Sequence, residues 1–63
     1  MIDPTTISLD QQIASVKREI AMRKNAYPRF ISNGKMRQGE ADHEIAAMTA
    51  ALHSLMKIKE STP

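Results

Sequence analysis

Cysteine and tryptophan are absent from this 63-residue sequence, which has only one tyrosine and one phenylalanine. Without cysteine, the chain can form neither a disulfide nor a thiolate metal site. A chain of this length buries only about 60% of the surface that it exposes when unfolded, so its own core gives little stability. Domains of this size often add a disulfide, a metal or a second copy of the chain. Of these, only a metal bound without thiolates or a second copy remains open here.

Long apolar runs are also missing, since no stretch approaches the ~20 residues of a membrane-spanning helix. The first six residues lack the basic-then-apolar order of a secretory signal peptide. We therefore expect a cytoplasmic protein with no membrane partner. Nine basic and seven acidic residues give a net charge of +2, which by itself is too small to indicate nucleic-acid binding.

Acidic residues are absent between Ile20 and Gly39, where the chain has five basic ones. The central stretch Asn25–Lys35 contains both aromatic residues, a proline and a glycine. Proline and glycine punctuate regular structure, so this stretch predicts a bend. The bend is therefore the one concentrated electrostatic feature of the sequence.

Before the bend, residues recur at spacings of four and three, which places them on one face of a helix. This stripe contains Leu9, Ile13, Val16, Ile20, Arg23 and Tyr27. Ser8 and Gln11 have capping-box spacing, so the helix is predicted over 8–27 after an arm at 1–7. In that arm, Asp3 and Pro4 favour one early helical turn. Pro28 is predicted to end the helix, because the residue before a proline disfavours helical conformation.

The bend is predicted at 28–37. Within it Phe30 and Ile31 can form a further turn, which Gly34 ends in the left-handed conformation of a helix C-cap. A second helix is predicted over 38–60, followed by a fraying tail at 61–63. Its stripe has the same spacing and contains Ala41, Ile45, Met48, Leu52, Leu55 and Lys59.

Facing residues in an antiparallel hairpin have a constant sum of residue numbers. Pairing the two stripes in order gives a sum of 68 throughout, from Tyr27 with Ala41 to Leu9 with Lys59. The same sum places Lys24 opposite Glu44. This agreement predicts an all-α fold: an antiparallel two-helix hairpin with coiled-coil-like packing.

Both helices carry apolar residues outside these stripes, which makes the apolar face too wide for one partner helix. They are Ile7, Ala14, Ala21, Met22, Ala46, Ala47, Ala50, Ala51, Met56 and Ile58. We expect a homodimer in which two hairpins form a four-helix bundle. Burial against a different protein is the alternative.

The bend also supplies a candidate partner-binding patch, formed by Arg23, Tyr27, Arg29, Lys35 and Arg37. An aromatic residue among bases can stack on nucleotides or anchor a protein. The competing interpretation is that the Arg23 guanidinium reaches Glu19 or Glu44, and that Tyr27 packs over Ala41. Phe30 is then a plug at the end of the bundle.

Glu40 and His43 have the Glu-x-x-His spacing of di-iron bundles. Such a site needs more inward-facing carboxylates, of which only Glu19 is near, so a solvated helix start is the preferred interpretation. The serines lie at predicted caps, surfaces or the tail, and no glycine-rich phosphate loop is present. We expect no metal, no cofactor and no enzymatic activity.

The segments REIAMRKNAYPRFISNGKM (18–36) and ADHEIAAM (41–48) resemble a large group of short phage and prophage proteins. These share an Arg-rich helix, a Tyr-Pro turn, a Gly-Lys-Met-like step and a second helix. The resemblance covers residues 13–56 and implies a phage-encoded accessory protein in the host cytoplasm. Many such sequences have Thr or Ser where this one has Arg37 before the second helix. We expect a small protein-interaction module that binds a host factor, with a nucleic-acid-associated protein as the alternative.

Overall fold

Two antiparallel α-helices form the fold in the computed structural model, which describes residues 1–61. A 3-10 turn at Pro4–Thr6 precedes α1 (Leu9–Ser32) and α2 (Gln38–Ser61), and the two helices pack against each other. No strand occurs within residues 1–61. The predicted all-α hairpin is therefore confirmed. Over the same residues, neither helix is long and apolar enough to cross a bilayer.

The N-terminal caps form as the sequence predicts. Asp3 Oδ1 accepts hydrogen bonds from the Thr5 amide at 2.9 Å and from the Thr5 hydroxyl at 2.8 Å, which starts the 3-10 turn. The Gln11 amide donates to Ser8 Oγ at 3.1 Å, and the Ser8 amide donates to Gln11 Oε1 at 2.8 Å. This reciprocal capping box satisfies two donors at the exposed helix end, so α1 begins at Leu9.

Pro28 does not end the first helix, so that prediction is wrong. Proline lacks an amide hydrogen but has a φ close to that of a helix, and α1 continues through it to Ser32. The helix ends instead where Gly34 has a φ of +72°. There the Lys35 amide donates to the Phe30 carbonyl at 2.9 Å and the Gly34 amide donates to the Ile31 carbonyl at 3.1 Å. These two bonds form a Schellman motif, which satisfies the last carbonyls of α1.

The connection between the helices is consequently shorter than predicted and covers residues 33–37. The Ala41 amide donates to the Arg37 carbonyl at 3.0 Å, so α2 begins at Gln38 as predicted. It includes Ser61, which the sequence assigned to the tail. The other two residues of that predicted tail, 62 and 63, lie outside the described residues.

The core is a narrow line of contact between the helices. Among the described residues, only Ile13, Ile20 and Ala41 are buried, with 8%, 8% and 4% of their surface exposed. Eight further stripe positions are half-buried: Leu9, Val16, Arg23, Tyr27, Ile45, Met48, Leu52 and Leu55. The Cα atoms span 45 × 28 × 14 Å, so the molecule is a single layer of two helices.

Two ion pairs mark the register at either end of this line. Arg23 Nη1 lies 3.6 Å from Glu44 Oε2, and Lys59 Nζ pairs with Asp10 Oδ1. Their residue numbers add to 67 and 69, on either side of the predicted 68. Glu44 thus pairs with Arg23 rather than with Lys24, because a residue-number sum ignores the flank of the helix on which each side chain lies.

Candidate partner-binding site

A groove of about 560 Å³ lies at the closed end of the hairpin, between the last turns of α1 and the first turns of α2. Its apolar lining comes from Tyr27, Pro28, Ile31, Ala41, Ile45 and Ala46, and its polar lining from Lys24, Gln38 and Asp42. The continuation of α1 beyond Pro28 brings Ile31 alongside α2. Concave, mostly apolar sites with a few polar groups are typical of ligand and peptide binding.

Tyr27 and Ala41 explain the shape of the groove. They are the last layer of the packed stripe, where the largest stripe side chain meets one of the smallest. Ala41 is buried and cannot fill the space beside the half-buried tyrosine ring. The Tyr27 hydroxyl accepts a hydrogen bond from Arg23 Nη1 at 3.2 Å, which fixes the ring against its own helix. The groove is therefore held open by packed residues.

Pro28 interrupts the backbone hydrogen bonding of α1 within this lining. In an α-helix the carbonyl of Lys24 accepts from the amide four residues later, but residue 28 has no amide hydrogen to donate. Both residues line the groove. The proline ring crowds that carbonyl, so Pro28 presents an apolar surface against which an apolar side chain of a ligand can pack.

Arg23 does not belong to an exposed basic patch. Its Nε donates to Glu19 Oε1 at 2.9 Å, and its Nη1 lies near both Tyr27 Oη and Glu44 Oε2. The hydrogen bond to Glu19, followed by that to Tyr27, raises the pKa of Arg23 above its usual value. The guanidinium thus ties α1 to α2, which is the structural interpretation that the sequence left open.

The remaining candidate cations are exposed but lie in two different places. On the last turn of α1, the Arg29 guanidinium carbon is 5.8 Å from the centre of the Phe30 ring, a cation–π geometry. Lys35 and Arg37 line a shallow hollow of about 490 Å³ on the connection, together with Glu40. The candidate cations therefore do not form one continuous patch.

The sequence interpretation missed most of the groove lining, because it ended α1 at Tyr27. The signal that could have revealed the groove is Ile31, which continues the apolar stripe four residues after Tyr27. An apolar stripe that persists across a proline indicates that the helix persists too.

The Glu40 and His43 side chains lie on an exposed part of α2. Within residues 1–61, no group of three or more His, Asp or Glu side chains is arranged to hold a metal ion. The groove at the closed end is thus the site with the most developed chemistry among the described residues. Comparisons of the chain with protein-family models, curated proteins and solved structures found no match.

Proposed function

We propose that this protein is a non-enzymatic interaction module of phage or prophage origin that binds a host protein through the groove at its closed end. The groove carries the proposal, because it combines about 560 Å³ of largely apolar space with exposed basic residues nearby. Its origin and its site of action in the host cytoplasm rest on the resemblance of residues 13–56.

The chemistry of the groove defines the segment that would bind. Apolar lining from Tyr27, Ile31 and Ile45 fits one or two anchoring side chains of an amphipathic segment. Arg29, Lys35 and Arg37 are exposed around the same end of the hairpin and favour acidic residues beside those anchors. The proposed ligand is therefore an amphipathic, acidic stretch of a host protein.

We also propose that the protein acts as a homodimer. Domains are usually built from at least two packed layers, whereas this hairpin is a single layer with a Cα thickness of 14 Å. Only three of the described residues are buried, so a lone hairpin gains little hydrophobic stabilisation. A second copy supplies the missing layer.

Affinity capture from host lysate, followed by calorimetry with the purified partner, tests the binding proposal. Ala46→Phe fills the groove, and Ala50→Phe is its matched control, since Ala50 is an exposed alanine one turn further along α2. We expect Ala46→Phe to weaken binding at least tenfold and Ala50→Phe to leave it unchanged. Equal affinity of wild type and Ala46→Phe would show that the groove is not the binding site.

A nucleic-acid-associated protein is the second candidate, favoured by the five bases without an acid between Ile20 and Gly39. Fluorescence anisotropy with labelled DNA and RNA separates the two functions. Binding that weakens steeply with salt, and that is lost in an Arg29/Lys35/Arg37→Glu variant, would favour nucleic acid. Absence of binding at low salt removes this candidate.

A further inference from the structure

One flank of α1 carries apolar side chains that the hairpin does not bury. Met22 is 57% exposed and Ala26 and Phe30 are half-buried, and the three line a hollow of about 380 Å³. At 3.6 residues per turn, they point away from the groove residues Lys24 and Pro28. We call Met22, Ala26 and Phe30 the Met22 flank.

The same side of the hairpin continues on α2 with small residues. Arg23 lines the same hollow as the Met22 flank, and it pairs with Glu44 of α2. Ala47 and Ala51 follow Glu44 by three and seven residues, so they share its side of the helix, and both are exposed. Small side chains allow a neighbouring helix to pack closely, at an interaxial distance near the lower end of about 8–10 Å.

The chain exposes more surface than a compact monomer of its mass, and the excess is about the area that one protein interface buries. Its accessible surface is 5113 Å², whereas a compact monomer of 7.0 kDa is expected to expose about 4,000 Å². The excess is roughly 1,000 Å², and a standard protein interface buries about 800 Å² from each partner. One second copy on one flank is therefore sufficient to remove the excess.

Charge decides the direction in which the second copy lies. The closed end carries exposed Arg29, Lys35 and Arg37, so placing two closed ends side by side brings like charges together. At the open end, where α1 begins and α2 ends, Lys59 is paired with Asp10, and the negative charges of Asp3 and Glu60 offset the remaining cations. An antiparallel arrangement, with the closed end beside the partner's open end, avoids this repulsion.

We infer that a second copy of this chain packs on the Met22 flank in antiparallel orientation, with the two Met22 side chains meeting at the twofold axis. Met22 lies close to the middle of α1, which is the position that an antiparallel pair brings together. The inference rests on the homodimer proposed above and specifies its surface and direction. Such a dimer leaves both grooves open, at opposite ends, so that it can bind two host segments at once.

The absence of cysteine makes this arrangement directly testable, because each single-cysteine variant can form only one intermolecular disulfide. Disulfide formation needs Cα atoms within about 7 Å of each other. Met22→Cys reports the antiparallel pairing. Ala21→Cys is the matched control on the adjacent exposed position, and Arg29→Cys reports a pairing of two closed ends. Circular dichroism checks that each variant keeps its helices.

We expect Met22→Cys to cross-link under mild oxidation at least tenfold faster than the other two variants, and Met22→Glu to weaken dimerisation at least tenfold. Sedimentation equilibrium of the wild type is measured in parallel. A wild-type dimer in which Ala21→Cys or Arg29→Cys cross-links fastest would overturn the inferred surface or direction and leave the homodimer standing. A folded monomer at high micromolar concentration would refute the homodimer itself, and the inference with it.

Discussion

Arg23 Nη1 lies 3.6 Å from Glu44 Oε2 on the other helix, while the Nε of the same guanidinium donates to Glu19 at 2.9 Å. The planar guanidinium carries several fixed donors, so one side chain can serve two carboxylates and the Tyr27 hydroxyl together. Arginine at a stripe position thus joins the two helices beside the groove. The sequence left open whether Arg23 binds a partner or joins the two helices. In the structure its guanidinium bonds within the hairpin.

This network predicts a measurable coupling between Arg23 and Glu44. We expect Arg23→Met and Glu44→Gln each to lower the free energy of unfolding, and the double variant to lower it by less than the sum. Urea unfolding at one fixed protein concentration measures this coupling, which should shrink as salt screens the pair. Arg23→Lys is the control, because lysine keeps the positive charge but lacks the planar guanidinium and its several fixed donors. Strict additivity of the two changes would contradict the coupling.

The two glycines should respond to alanine with opposite signs. Gly34 has a φ of +72°, which a side chain strains, so Gly34→Ala should lower the free energy of unfolding by about 1 kcal/mol. Gly39 lies in α2 with nothing within 4 Å of an added Cβ. Gly39→Ala should therefore raise the free energy of unfolding by about 0.5–1 kcal/mol. Urea unfolding of both variants at equal concentration tests the contrast, and a shift of the same sign in both would contradict it.

Pro28→Ala should stabilise the hairpin, because alanine restores the amide donor for the Lys24 carbonyl and removes the ring from the helix interior. A helix-interior proline costs about 3 kcal/mol, but it also restricts the unfolded chain, which offsets part of that cost. We therefore expect Pro28→Ala to raise the free energy of unfolding by about 2 kcal/mol. Pro4→Ala is the control, since Pro4 opens the 3-10 turn, where no amide donor is lost. Thermal unfolding in which Pro28→Ala melts below wild type would contradict this account.

Asp3 should titrate below its ordinary pKa of 3.8, because the Thr5 amide and then the Thr5 hydroxyl donate to its carboxylate. Since the pKa is lower in the folded chain, the charged carboxylate stabilises the turn above pH 3.8. That contribution is lost as the pH falls through the lowered value. An NMR titration of the Asp3 carboxyl carbon measures the midpoint. Thr5→Val removes one donor and should move the midpoint part of the way back, whereas a wild-type midpoint at or above 3.8 would contradict the cap.

The local elements of this protein follow from its sequence alone. The Ser8–Gln11 capping box, the left-handed Gly34 and the start of α2 at Gln38 depend on neighbours within one or two turns. The register also follows, because the predicted bend is short and a slip of seven residues would leave the stripe positions nearest to it unpaired. These features determine a two-helix hairpin with a basic closed end.

The tertiary structure decided what happens at the closed end itself. Local preference favours a break before Pro28, but the half-buried Ile31 beyond the proline shares the groove with Ala41 and Ala46 of α2, and its burial there outweighs the one missing hydrogen bond. The helix therefore continues, and the groove exists only because it does. Likewise, the flank on which each side chain lies determined that Glu44 pairs with Arg23 and not with Lys24. Both outcomes depend on contacts between residues that are distant in the chain, to which local spacing is insensitive.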